Sequence, residues 1–133
     1  MFIERMLNEG STPLLEQMVN FTAKRHELIA ADVVNISTPG YKQKDLDLPV
    51  FQRMLAEHAE RREQAGPENV DFSDIDEEVE SPRHGQLFHD GATRSMEQLE
   101  SDQAKNGLMH NVAIELLRQQ FQTLQMALKE RVS

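Results

Sequence analysis

Apolar residues recur at helical spacing in two long stretches of this chain, one near each end. From Thr12 onward, Leu14, Leu15, Met18, Thr22, Ile29, Val33 and Ile36 fall within one arc of a 3.6-residue helix. Glu16, Asn20, Lys24, Glu27 and Ala31 take the opposite side, and Arg25 and His26 interrupt the stripe. Thr12 is a good N-cap and Pro13 suits the first helical position, so a helix is predicted over Thr12–Asn35. Thr38-Pro39-Gly40 then stops it. With Pro39 and Gly40 at the two central positions, Thr38–Tyr41 reads as a type II turn. The second stretch runs from about Thr93 to Arg131, without Pro and with one Gly, Gly107. Its stripe is Met109, Val112, Ala113, Leu116, Leu117, Phe121, Leu124 and Leu128, and Lys129 and Arg131 near its end suit the helix dipole. At 1.5 Å per residue the two helices would span roughly 36 and 58 Å, lengths that fit rods and bundles.

The middle of the chain reads differently. Leu48–Glu63 has the helix formers and apolar spacing of a shorter third helix, which Gly66-Pro67 breaks. Residues 66–80 hold seven acids and no base, a local charge of −7 out of −9 for the whole chain. Such a segment is expected to be solvated and mobile through self-repulsion. Ser81–Gly91 is loop-like, with a short extended piece at Gln86–His89. The expectation is an all-α fold in three segments, 1–42, 43–92 and 93–133. Its two long terminal helices pack as an antiparallel, coiled-coil-like pair around a loop-rich, partly disordered acidic middle.

Composition narrows the function classes. The chain has 133 residues, of which 38% are hydrophobic, with no Trp and one Tyr. That is a thin supply for a compact core, and the burial the seams can offer falls short of the entropy of ordering such helices. The isolated chain is therefore expected to be marginal, with neighbours supplying the missing buried surface. The negative charge argues against nucleic acid as a partner. No Cys is present, which removes disulfides and thiolate metal sites and suits passage through an oxidising space. Met1–Gly10 lacks the basic and apolar regions of a cleaved secretory signal, and Met1–Leu7 is a short amphipathic stretch.

Candidate chemistry is sparse. His84 and His89 lie five apart in a predicted loop beside Asp90, while His26, His58 and His110 fall on separate helices without H-x-x-x-H spacing. Asp74-Ile75-Asp76-Glu77-Glu78 offers calcium-like oxygens but misses the Gly and Glu positions of an EF-hand loop. No serine lies in G-x-S-x-G, Ser81 near His84 has nothing to orient it, and no Gly-rich phosphate loop occurs. No catalytic, metal or cofactor residue is assigned, and a non-enzymatic protein is expected.

Ser11–Lys42 (STPLLEQMVNFTAKRHELIAADVVNISTPGYK) resembles the N-terminal region of flagellar axial proteins, in which a helix leads into an Asn-rich end and a Thr-Pro-Gly-Tyr-Lys turn. Asn35, Thr38, Pro39, Gly40, Tyr41 and Lys42 match; Asp32 and Val34 stand where that family often has Asn and Ala. Asp90–Glu97 (DGATRSME) is similar to the family's Asp-Gly-Asn-Thr-Val-Asp-Leu-Glu approach to the last helix, with departures at Ala92, Arg94 and Ser95. Asn106 and Leu108 match a following Asn-x-Leu, and His110 replaces a common Tyr. The small size and the continuation KDLDLPVF resemble the proximal rod proteins of the flagellar basal body, the FlgB type.

The resemblance implies a structural subunit exported unfolded through the flagellar type III apparatus, without a cleaved signal, to the periplasmic rod. Implied partners are further copies, other rod proteins, and the membrane-ring and export-gate proteins, with no nucleic acid and no small-molecule substrate. The assembly motif would be Asn35 and Thr38–Lys42. The helix seam would be Leu14, Leu15, Met18, Ile29, Val33 and Ile36 against Met109, Val112, Leu116, Leu117, Phe121, Leu124 and Leu128. The other reading of the sequence is a cytoplasmic helical adaptor or secretion chaperone.

Overall fold

The computed structural model describes residues 12–65, 74–75 and 94–132. Three helices account for most of them: α1 (Thr12–Val34), α2 (Leu48–Ala65) and α3 (Met96–Val132). No strand occurs among the described residues, so the fold is all-α. The expectations for Met1–Leu7, for the loop at Ser81–Gly91 with its extended piece, and for His84 and His89 lie outside the described residues. So does that for residues 66–80, apart from Asp74 and Ile75.

Each helix begins and ends for local reasons. Thr12 is already helical, and its hydroxyl donates to Gln120 Oε1 across to α3 instead of capping its own helix. Asn35 closes α1: its backbone N–H and its side-chain amide both donate to the Ala31 carbonyl, at 3.0 and 2.8 Å. This satisfies one of the carbonyls that a helix end leaves open. Asp47 caps α2 by accepting from Val50 N at 3.1 Å, with Pro49 in the first turn where no N–H is needed. α3 starts at Met96, later than expected, because Ser95 caps it: Ser95 Oγ accepts from Gln98 N at 3.2 Å. Glu97 in the first turn and Lys129 and Arg131 in the last complement the helix dipole.

α1 packs mainly on α3. Among the buried residues, Leu15, Thr22 and Ile29 on α1 and Leu99, Asn106 and Ala113 on α3 each recur every seven residues. Seven-residue spacing keeps a seam in contact along helices of this length. The central layer is polar, and Asn106 Nδ2 donates to the Thr22 carbonyl at 2.8 Å. One hydrogen-bonded polar layer among apolar ones penalises any slip of one helix along the other.

A second face of α1 carries α2. Phe21 stacks on Phe51 with ring centroids 4.0 Å apart and planes at 8°. Leu46, Val50, Met54 and Ile75 complete this core, flanked by Met18, Leu28, Leu48 and Leu55. Ile75 belongs to the acid-rich stretch expected to be solvated, yet it is buried here. Its neighbour Asp74 meets His58 Nε2 at 2.8 Å, while His58 Nδ1 meets the Met54 carbonyl at 2.7 Å. An aliphatic side chain and one carboxylate aimed at a ring nitrogen give this point of the stretch a reason to dock despite the surrounding charge.

Gly107 sits inside α3, and no atom lies within 4 Å of where its Cβ would stand. Gly107→Ala is therefore expected to raise unfolding free energy by about 0.5–1 kcal/mol through helix propensity alone. A higher denaturant midpoint at unchanged slope is the check.

Candidate functional site

The matched turn residues form one structure. Thr38 N donates to the Asn35 carbonyl at 2.9 Å, and Thr38 Oγ1 donates to Asn35 Oδ1 at 3.3 Å. Tyr41 N then donates to the Thr38 carbonyl at 3.2 Å, with Gly40 at φ 76°. That is a type II turn, whose third residue needs the positive φ that glycine tolerates. Thr38, Pro39, Gly40 and Lys42 are exposed, whereas Asn35 and Tyr41 are half-buried.

Beneath the turn lies a buried cluster of two guanidiniums and three carboxylates. Arg94, seven per cent exposed, reaches Asp32 Oδ2 at 2.9 Å, Asp45 Oδ2 at 3.1 Å and Asp102 Oδ2 at 2.7 Å. Arg25 grips Asp45 through both carboxylate oxygens, at 2.9 and 3.1 Å. Gln43 clamps the Arg94 backbone: Arg94 N donates to Gln43 Oε1 at 2.8 Å, and Gln43 Nε2 donates to the Arg94 carbonyl at 3.0 Å. Asp32 Oδ1 accepts from Lys44 N at 3.0 Å and from the Tyr41 hydroxyl at 3.3 Å. The end of α1, the segment after the turn and the start of α3 thus meet at a single arginine.

Burial pushes the Asp32 carboxyl above its ordinary value, with the Asp45 carboxylate adding to the rise. Lys44 N–H, Arg94 and the Tyr41 hydroxyl pull the other way without cancelling it. Tyr41 is raised as well, first by burial and then by the charge of Asp32. The arginine therefore does not fully repay the desolvation of its partner, as is common for buried ion pairs.

The predicted seam residues divide. Leu15 and Ile29 are buried; Leu14, Met18, Val33, Met109, Leu117, Leu124 and Leu128 are half-buried. Ile36, Val112, Leu116 and Phe121 are exposed, and so are Val34, Leu108 and Met126. Leu108, Val112 and Leu116 follow one another at four-residue steps, a ridge along α3 away from the buried Leu99, Asn106 and Ala113. Sequence reasoning missed Gln43, Asp45 and the role of Arg94. The signal it contained was Arg25 interrupting an apolar stripe.

The histidines do not converge. His26 is exposed beside Gln103 Nε2 at 3.1 Å, His58 is buried on α2, and His110 Nδ1 meets Thr22 Oγ1 at 2.7 Å. Among the described residues no three His, Asp or Glu side chains are placed to hold a metal ion, and no helix is long and apolar enough to cross a membrane. No protein-family model, curated protein or solved structure matches the chain.

Removing the shared cation leaves the buried Asp32 carboxylate without its ion-pair partner. Arg94→Ala is expected to cost about 3–5 kcal/mol in denaturant unfolding. Arg94→Lys is expected to recover only part, because an ammonium lacks the guanidinium fork. A loss below about 1 kcal/mol in Arg94→Ala would show that the cluster holds nothing together.

The raised Asp32 pKa sets a sign for pH. A carboxyl raised on folding favours the protonated folded state, so its contribution is fully present below the ordinary value of 3.8 and is lost as pH rises through the folded value. Relative to Asp32→Asn, the parent chain should lose stability as pH increases across that window. The opposite slope in paired unfolding curves would contradict it.

Proposed function

We propose that this chain is a non-enzymatic structural subunit of the bacterial flagellar rod, of the proximal type. It assembles in the periplasm with copies of itself and other rod proteins, between the membrane ring and export gate on one side and the more distal rod on the other. The observation that carries the reading is the meeting of Asp32 with Arg94 at 2.9 Å. These are two of the positions at which the sequence departs from the axial-protein pattern, and they lie sixty-two residues apart. A neutral residue at each is expected in that pattern; here an acid at one is answered by a base at the other. The departures compensate one another, and the resemblance at both ends of the chain gains support from their agreement.

Three further features fit. Thr12 bonds to Gln120, Thr22 to His110 and His26 to Gln103, an order that supports an antiparallel, coiled-coil-like pairing of the two long helices. Asn106 of the matched Asn-x-Leu lies in the seam, while Leu108 stands 67% exposed. The ridge through Leu108, Val112 and Leu116 is apolar surface that a single chain leaves in water, and stacking of copies in a rod would cover it.

Deleting the gene is expected to abolish hook–basal bodies in electron micrographs, and the parent gene to restore them. Leu108→Glu with Leu116→Glu, at exposed positions that leave the monomer's helices intact by circular dichroism, should fail to restore them. Normal basal bodies in the deletion strain, with the protein of the parent strain confined to the cytosol, would favour the adaptor or chaperone reading instead.

A further inference from the structure

Asn106 and Gly107 form the one Asn-Gly dipeptide of the chain; the five other asparagines precede Glu, Phe, Ile or Val. In an unfolded chain this dipeptide is the most prone to attack itself. Glycine puts no side chain beside its own nitrogen, and it lets the backbone reach the angles that bring that nitrogen to the Asn side-chain carbon. The pair sits where the seam depends on an amide. Asn106 is 1% exposed, and its Nδ2 donates to the Thr22 carbonyl of α1 at 2.8 Å.

An acid at this position changes the seam in two ways. A carboxylate has no proton to give, so two acceptor oxygens would face each other where a hydrogen bond now joins the helices. The new charge would also be shut away from water, where even the neutral amide oxygen lacks a partner. An isoaspartyl link would add a carbon to the α3 backbone and break its hydrogen-bond pattern. The paired fold blocks the reaction that makes either product. Gly107 lies inside α3, where a backbone N–H is bonded to the carbonyl four residues earlier. Ring closure needs that nitrogen free and the backbone out of helical geometry, while Thr22 holds the amide from the opposite helix.

We propose that Asn106-Gly107 is a self-modification site, closed while α1 and α3 are paired and open when they separate, so that a chain left unpaired is converted to one that cannot pair. The Gly107 nitrogen loses its proton and bonds to Asn106 Cγ; the Cγ–Nδ2 bond breaks and ammonia leaves, giving a succinimide. Water then opens the ring at either carbonyl, leaving an aspartyl or an isoaspartyl residue. Nothing is oxidised or reduced. The proposal rests on the seam and is independent of the rod reading.

Full-length protein is incubated at mildly alkaline pH across a guanidinium chloride titration, and peptide mass mapping follows amide-to-acid conversion at each asparagine. In full denaturant Asn106 is expected to convert faster than Asn20 or Asn35. At lower denaturant its rate should fall with the unfolded fraction read by circular dichroism. Gly107→Ala, for which the helix has room, should lose most of the conversion in denaturant. Asn106→Asp reads the consequence: a lower denaturant midpoint than the parent, or, where the variant does not fold, loss of the helical signal that the parent keeps. An Asn106 rate that ignores the unfolded fraction, a Gly107→Ala chain that converts as fast as the parent, or an Asn106→Asp chain with the parent's midpoint would overturn the proposal.

Discussion

A guanidinium surrounded by carboxylates out of water tolerates no rearrangement that strands one of them. Arg94 is in that position, bonded to Asp32, Asp45 and Asp102 while Gln43 holds its backbone. Arg25 brings the middle of α1 into the same cluster through Asp45. Such clusters add little net stability and are costly to break, so their effect is to select one geometry. Here the selected geometry joins three stretches of the chain: α1 at Arg25 and Asp32, the segment holding Gln43 and Asp45, and Arg94 with Asp102. It also sets the direction in which the chain leaves the type II turn, because Lys44 N and the Tyr41 hydroxyl both bond to Asp32.

The remaining contacts elaborate that frame. The seven-residue repeat of Leu15, Thr22 and Ile29, matched by Leu99, Asn106 and Ala113, carries the alignment set near Arg94 along the helices. The Thr22–Asn106 layer fixes the register at the cost of an unpaired amide oxygen. α2 adds an aromatic stack on another face of α1 and has no part in the seam. The outer side of α3 is left with an apolar ridge that the single chain does not cover, and the proposed rod reading assigns that ridge to contacts between copies.

Periodicity made α1 legible: Leu15, Thr22 and Ile29 stand out at helical spacing, and Thr38-Pro39-Gly40 announces the turn through proline's fixed φ and glycine's tolerance of positive φ. Phe21 was not legible, since it lies beside the apolar arc and its partner Phe51 is thirty residues away. On α3 the pattern has two apolar sides. A period shows that Val112 and Leu116 share a face with each other, but not whether one chain covers that face. Leu99 and Asn106 escaped because one precedes the dense part of the stripe and the other is polar. Asp32 and Arg94 were each visible only as departures from a pattern; that they answer one another depends on the fold. The docking of Ile75 was hidden by the acids around it.

Purification of basal bodies from cells producing the chain, followed by cryo-electron microscopy and mass spectrometry of the rod, tests the central claim most directly. The account predicts density for α1 and α3 packed together within the proximal rod, with the Leu108–Leu116 side of α3 covered by a neighbouring subunit. Basal bodies whose rod is complete without this chain, recovered while the chain remains soluble in the cell extract, would contradict it.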